Sequence, residues 1–205
     1  MKANPEREFY LASLPEPVIL LGQRLNPLSI GHLTLLQRFE CAFVTPGKVA
    51  TLDDLAFAVF ICSQTWKEGT AALLADDLPN QLSSWGKVVA KFSFEEKSAA
   101  FNDYLAAGSC GPRLGPCEEA GRLPGAPFLQ RVRMILQGKL NYSLSEAMNC
   151  PWGLALWEYF AFFEMEGAVK LYSAEDAAQH EAALRMRDKI AEEGGWMLLP
   201  MGGLN

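Results

Sequence analysis

Histidine is nearly missing: His32 and His180 are the only two in 205 residues. Metal centres and neutral-pH proton transfer rely on histidine more than on any other side chain, so a histidine-rich metal site is excluded. The phosphate-cradling patterns GxGxxG and GxxxxGK[ST] are also absent, and so is any CxxC pair of the kind that holds structural zinc. Basic residues are few. Against 24 Asp and Glu there are 18 Lys and Arg, giving a net charge of -6 and a pI near 5.0. Apart from Arg131, Arg133 and Lys139 no basic stripe exists to neutralise phosphates, so nucleic acid is not an expected partner. No apolar run is long enough for a membrane, since a span needs roughly 20 apolar residues. The densest run, Trp152 to Gly167, is interrupted by Glu158, Glu164 and Glu166. Internal repeats and heptad arrays are lacking too.

What the chain does have is an ordinary globular balance, with half its residues hydrophobic and a fifth charged. A chain of this size buries roughly 70% of its unfolded surface without staples. The five cysteines (Cys41, Cys62, Cys110, Cys117 and Cys150) are odd in number and irregularly spaced, and MKANPEREFY has no apolar leader segment. The expectation is a reduced, cytoplasmic chain.

The run Trp152 to Gly167 predicts a helix apolar on nearly all sides, around which the other helices pack. Pro151 suits its first turn and Gly167 its end. The first fourteen residues read as a short helix or arm, ended by Pro15 and Pro17. Val18 to Leu21, a turn at Gly22-Gln23, and Arg24 to Leu28 predict a small hairpin whose second strand Pro27 reduces to a stub. Ser29 then caps a helix to about Phe39, with Leu28, His32, Leu35, Leu36 and Phe39 on one face. Capping-box pairs Thr51/Asp54, Ser93/Glu96, Ser143/Glu146 and Ser173/Asp176 mark four further helix starts. The helix from Thr51 carries a stripe of Leu52, Leu55, Val59, Cys62 and Trp66, so it is expected to be deeply buried. Further helical segments are expected at Thr70 to Asp77, Pro79 to Phe92 and Phe128 to Gly138. Ala168 to Tyr172 reads as a strand that pairs with the N-terminal hairpin, and the last helix, with Ala182, Ala183, Met186 and Ile190, as a surface helix.

The fold expected is therefore mainly α: a multi-helix bundle around a central apolar helix, with an N-terminal hairpin and one further strand. Residues 1–107 hold the hairpin and first helices, 108–127 a Gly/Pro-rich loop, 128–195 the later helices on the same core, and 196–205 an apolar tail. Trp196, Met197, Leu198 and Leu199 are too apolar to leave in water, and are the expected contacts for a protein partner.

Three places invite a chemical reading. His32 lies on an apolar helical face, where a hydrogen-bonded structural role outweighs that of base or ligand, because no nucleophile or carboxylate is patterned beside it. Glu158 is the acid expected to be partly buried, with an arginine from a neighbouring helix as its partner rather than a raised pKa. Cys110 and Cys117 flank six residues of a flexible loop, which fits neither a zinc site nor a supported disulfide. His180 with Asp176 has ligand spacing but lies on a polar surface helix. No nucleophile, base and oxyanion donor assemble, so the expectation is a protein without catalytic residues, cofactor or metal.

The stretch Leu20 to Phe43, LLGQRLNPLSIGHLTLLQRFECAF, resembles the start of tail assembly chaperones and related small tail-module proteins of tailed bacteriophages and prophages. A short β piece leads through Leu25-Asn26-Pro27-Leu28-Ser29 into a leucine-rich helix with His32, Leu33, Leu35 and Leu36. The helix WGLALWEYFAFFEMEG is similar in style. The resemblance covers about a third of the chain; the Gly/Pro loop and the length depart from the family. It implies a helical, non-enzymatic factor in the bacterial host cytoplasm that binds the apolar tape measure or another tail protein and keeps it soluble during virion assembly. The alternative is a small cytosolic enzyme or thiol-dependent protein acting through His32, Glu158 or the Cys110/Cys117 loop.

Overall fold

The computed structural model describes residues 5–114, 125–172 and 174–192. Ten helices and one two-stranded hairpin make up these residues. Helix α1 (Pro5–Ser13) is followed by β1 (Val18–Leu20) and β2 (Gln23–Leu25), which pair antiparallel with Val18 opposite Leu25. The turn falls at Leu21-Gly22, one residue earlier than the sequence predicts, because both residues take positive φ (52° and 76°), as tight hairpin turns require. A leucine there is strained. Leu21 is held in this backbone by its side chain, which is buried in the core.

Caps set most helix starts. Ser29 opens α2 (Ile30–Arg38) and Thr51 opens α3 (Leu52–Cys62). A capping box that the sequence reading did not include, Thr65 with Glu68, opens α4 (Trp66–Leu73). It ends the expected stripe early: Trp66 continues the spacing of α3 but belongs to the next helix, and α4 lies ahead of the predicted Thr70 start. Helices α5 (Leu78–Val89) and α6 (Phe94–Gly108) follow. At α6 only half the predicted box forms: Ser93 Oγ accepts from the Glu96 amide, while the Glu96 carboxylate turns to Lys97 at 2.6 Å. Beyond the Gly/Pro-rich stretch come α7 (Phe128–Gly138), α8 (Leu144–Asn149), α9 (Trp152–Met165) and α10 (Ala174–Glu192).

The most completely buried helix is α3, where Leu55, Ala58, Val59, Ile61 and Cys62 have no exposed surface. Helix α9 is buried through Trp152, Ala155, Leu156, Trp157 and Tyr159, but its second half emerges, and Met165 is 88% exposed. Phe160, Phe162 and Phe163 are half-buried, part of a ring cluster with Phe128 and Tyr159. The two halves of the chain interlock. The Trp152 amide donates to Leu28 O at 2.6 Å beside a bridge between Ser29 and Pro151, and the Trp66 amide donates to the Asn149 side chain at 3.1 Å.

Two expectations are corrected. Ala168 to Tyr172 is not a strand on the hairpin: Leu171 makes one bridge with Leu114, and the Tyr172 amide donates to Arg113 O at 3.0 Å. Phe39 is not on the buried face of α2; it caps the helix, half-exposed, against the ring of Phe57. The surface reading of α10 is met, since Ala178, Gln179 and residues 182–190 are exposed. Its capping box falls on Ser173, outside the described residues. Among the described residues no helix is long and apolar enough to cross a membrane.

Candidate functional site

A groove of about 710 Å³ opens between the end of α1, the hairpin and α6. That size lies within the range of ligand-binding clefts, roughly 300 to 1,000 Å³. Leu25, Leu28 and Tyr104 are buried at its base, and Leu11, Val18 and Ala107 stand along its walls. Its shape depends on small residues. A Cβ on Gly108 would come within 2.6 Å of Leu28 Cβ, so glycine lets the end of α6 lie directly on the loop before α2.

Charged side chains mark the rim: Glu16 after α1, Arg24 on β2 and Asp103 on α6, all exposed. Tyr104 is fixed beneath them, its hydroxyl donating to Asn26 O at 2.8 Å. Burial, followed by the neighbouring Cys62, raises its pKa well above the ordinary 10.0. Tyr104 is therefore a neutral hydroxyl donor near neutral pH. Cys110 sits at the mouth with an exposed thiol, its Sγ 3.6 Å from Ala106 O. By contrast, burial lifts the Cys41 thiol to about 11 and the Cys62 thiol to about 12, so neither forms thiolate near neutrality.

The residues singled out by sequence lie elsewhere and are not brought together. His32, 2% exposed, uses both ring nitrogens within the fold. Nδ1 accepts from the Ser29 amide at 3.3 Å, which makes it the acceptor half of a capping box, and Nε2 lies 2.7 Å from Gln64 O. Because a carbonyl only accepts, Nε2 carries the proton. Burial lowers the His32 pKa against the opposing pull of the Gln64 carbonyl, so the ring is held neutral. The hydrogen bonds expected of a structural histidine are present.

Glu158 has a different partner from the arginine expected. Tyr142 donates its hydroxyl to Glu158 Oε1 at 2.7 Å, while Oε2 is buried without a hydrogen bond among the described residues. Cys150 is buried nearby; burial first, and then the Glu158 charge, push its thiol up to about 12. Arg131 instead reaches Tyr159 and the face of Phe128. Asp176 pairs with Lys170 at 2.9 Å. The side chain of His180, Cys117, and the proposed contacts Trp196, Met197, Leu198 and Leu199 lie outside the described residues. Among the described residues no three His, Cys, Asp or Glu side chains are grouped to hold a metal.

Of the groove, sequence reasoning singled out Cys110 for its chemistry and Leu25 to Leu28 only as part of the family resemblance. The walls come from residues 11–28 and 100–108, which become a site only once folded together. No family model, curated protein or solved structure matches the chain.

Proposed function

We propose that this chain is a non-catalytic binding protein of the phage or prophage tail-assembly kind, which holds an apolar helical segment of a tail protein such as the tape measure. One observation carries this reading. The histidine best suited to acid–base work has both nitrogens committed within the fold, while the large groove is lined mainly by leucine, valine, alanine and proline, with Tyr104 at its base and charge only at its rim. An apolar helix laid in such a groove buries its stripe and leaves its polar face in water. The leucine-rich segment after Asn26, which carries the resemblance, supplies the groove's base at Leu28. The tail Trp196 to Leu199 is a second contact in this reading.

The test is co-purification of the tagged chain with tail proteins from its native lysate, a tape measure protein above all, comparing wild type with Ala107→Trp, which fills the groove from an exposed position. The expected result is retention by the wild type and loss by the variant at unchanged melting temperature. Retention by both, with loss on deletion after Gly195, would move the contact to the tail. No retention of a tail protein by the wild type would overturn the proposal.

A further inference from the structure

Charge is unevenly distributed along the groove. Its floor and one wall run side by side: the Tyr104 hydroxyl meets Asn26 O at 2.8 Å, and one turn later a Cβ on Gly108 would meet Leu28. Two residues of extended chain and four of helix both rise about 6 Å, so residues 24–28 step along α6 in the same direction. Arg24 therefore lies level with Ala100 at one end, and Leu28 level with Gly108 and Cys110 at the other. The facing wall returns antiparallel. Val18 pairs with Leu25, and a Cβ on Gly153 would meet both Ala12 and Cys110 O. Glu16 falls between these points, on the wall that faces Asp103.

Arg24, Asp103 and Glu16 thus stand from the Ala100 end to the middle, whereas the Cys110 end, walled by Leu11, Ala107 and Gly108, has no charged lining. All three are exposed, and none makes a side-chain hydrogen bond or ion pair among the described residues. Neighbouring charges that do not line the groove are already matched: Glu8 with Arg113 at 3.4 Å, near Cys110 in the chain, and Lys97 with Glu96 at 2.6 Å, a turn before Ala100. Two carboxylates against one guanidinium leave the charged half with an unmatched negative charge, which complements a basic partner. We infer that the segment held in this groove is apolar at the Cys110 end and carries lysine or arginine towards the Ala100 end, its basic side chain lying between Glu16 and Asp103. This rests on the groove being the protein's binding site.

Synthetic helical peptides of leucine and alanine, with a pair of lysines or a pair of glutamates at either terminus, serve as probes in fluorescence anisotropy with the full chain. The best lysine peptide is expected to bind about tenfold more tightly than its glutamate counterpart, the reach of two exposed ion pairs, and the advantage should shrink as salt is added. Glu16→Lys with Asp103→Lys should reverse the order, and Arg24→Glu should widen the gap. Orientation is read at Cys110, whose thiol is exposed while Cys41, Cys62 and Cys150 are buried; Cys117 is replaced by serine throughout. A peptide cysteine activated as a thiopyridyl disulfide should exchange with Cys110, releasing thiopyridone, when it stands opposite the lysines, and not when it stands beside them. Circular dichroism and melting temperature confirm that each variant folds, as exposed substitutions should. Peptides bound equally whatever their charge, and lost with Ala107→Trp, would leave the groove a binding site and overturn the charge assignment. Exchange only beside the lysines would overturn the orientation. No binding by any peptide would overturn the groove reading as well.

Discussion

The imidazole of His32 joins the start of α2 to the turn after α3: Nδ1 is 3.3 Å from the Ser29 amide nitrogen and Nε2 is 2.7 Å from the Gln64 carbonyl. A side chain in this position acts on stability. Glutamine also suits a capping box, so His32→Gln keeps the cap and loses the Gln64 contact, whereas His32→Leu loses both. A buried group left unpaired costs about 1–3 kcal/mol, and a lost cap about 0.5–2. His32→Leu should therefore melt several degrees below wild type, at roughly 2–4 °C per kcal/mol for a chain of this size. His32→Gln should fall between them. Two unchanged melting temperatures would contradict the structural role.

Stability should fall in two stages on acidification. The folded His32 has a pKa below its ordinary 6.5, so the unfolded chain takes up the proton first. The contribution of the neutral ring is whole above pH 6.5 and declines as pH falls through the folded value. The second stage belongs to capping acids. Glu146 is held below its ordinary 4.5 by Ser143, and Asp54 below 3.8 by Thr51 and Ala42 despite the opposing effect of burial. Their contribution is present above these values and lost below them. Chemical denaturation across pH 3 to 8 would display both stages, and His32→Gln should remove only the first.

Two helical glycines should respond to alanine with opposite signs. Alanine is preferred in helices by up to about 1 kcal/mol. At Gly86 a Cβ meets nothing within 4 Å, so Gly86→Ala should raise the melting temperature. At Gly31 it would stand 2.6 Å from Trp66 Cβ and 2.7 Å from Met148 O, atoms that cannot swing aside. Overpacking of this kind costs about 1–3 kcal/mol, so Gly31→Ala should melt lower. Thermal scans of both variants side by side settle the signs.

Tyr142 and Glu158 should behave as a coupled pair. Tyr142→Phe removes the hydroxyl that Glu158 Oε1 accepts from, leaving both carboxylate oxygens without a hydrogen-bond partner among the described residues. The expected loss is about 1–3 kcal/mol. Replacing Glu158 by leucine in the same chain removes the group left unpaired, and should restore part of that loss. Additive effects in urea denaturation would show that the pair is not coupled.

What could be read in the sequence was local. Ser29, Thr51 and Ser143 fixed the starts of α2, α3 and α8 because a cap is completed within four residues. Thr65 escaped notice because Trp66 also fits the period of α3, and periodicity alone does not reveal where a helix stops. Glu158 shows the same limit: its burial was foreseeable from the apolar run, whereas its partner depended on where the turn after α7 places Tyr142. The groove was the least legible feature. Its walls are brought together only by tertiary contacts such as Gly108 against Leu28.

The bond from the Trp152 amide to Leu28 O has a consequence for synthesis. The start of α2 is finished by a residue from the other half of the chain, which leaves the ribosome roughly ten seconds later at about 5 to 20 residues per second. By then α2 already packs on α3 and α4, which follow it directly in the chain, but it lacks α7, α8 and the bond from Trp152. The join between the two halves of the chain therefore closes only once α9 has emerged.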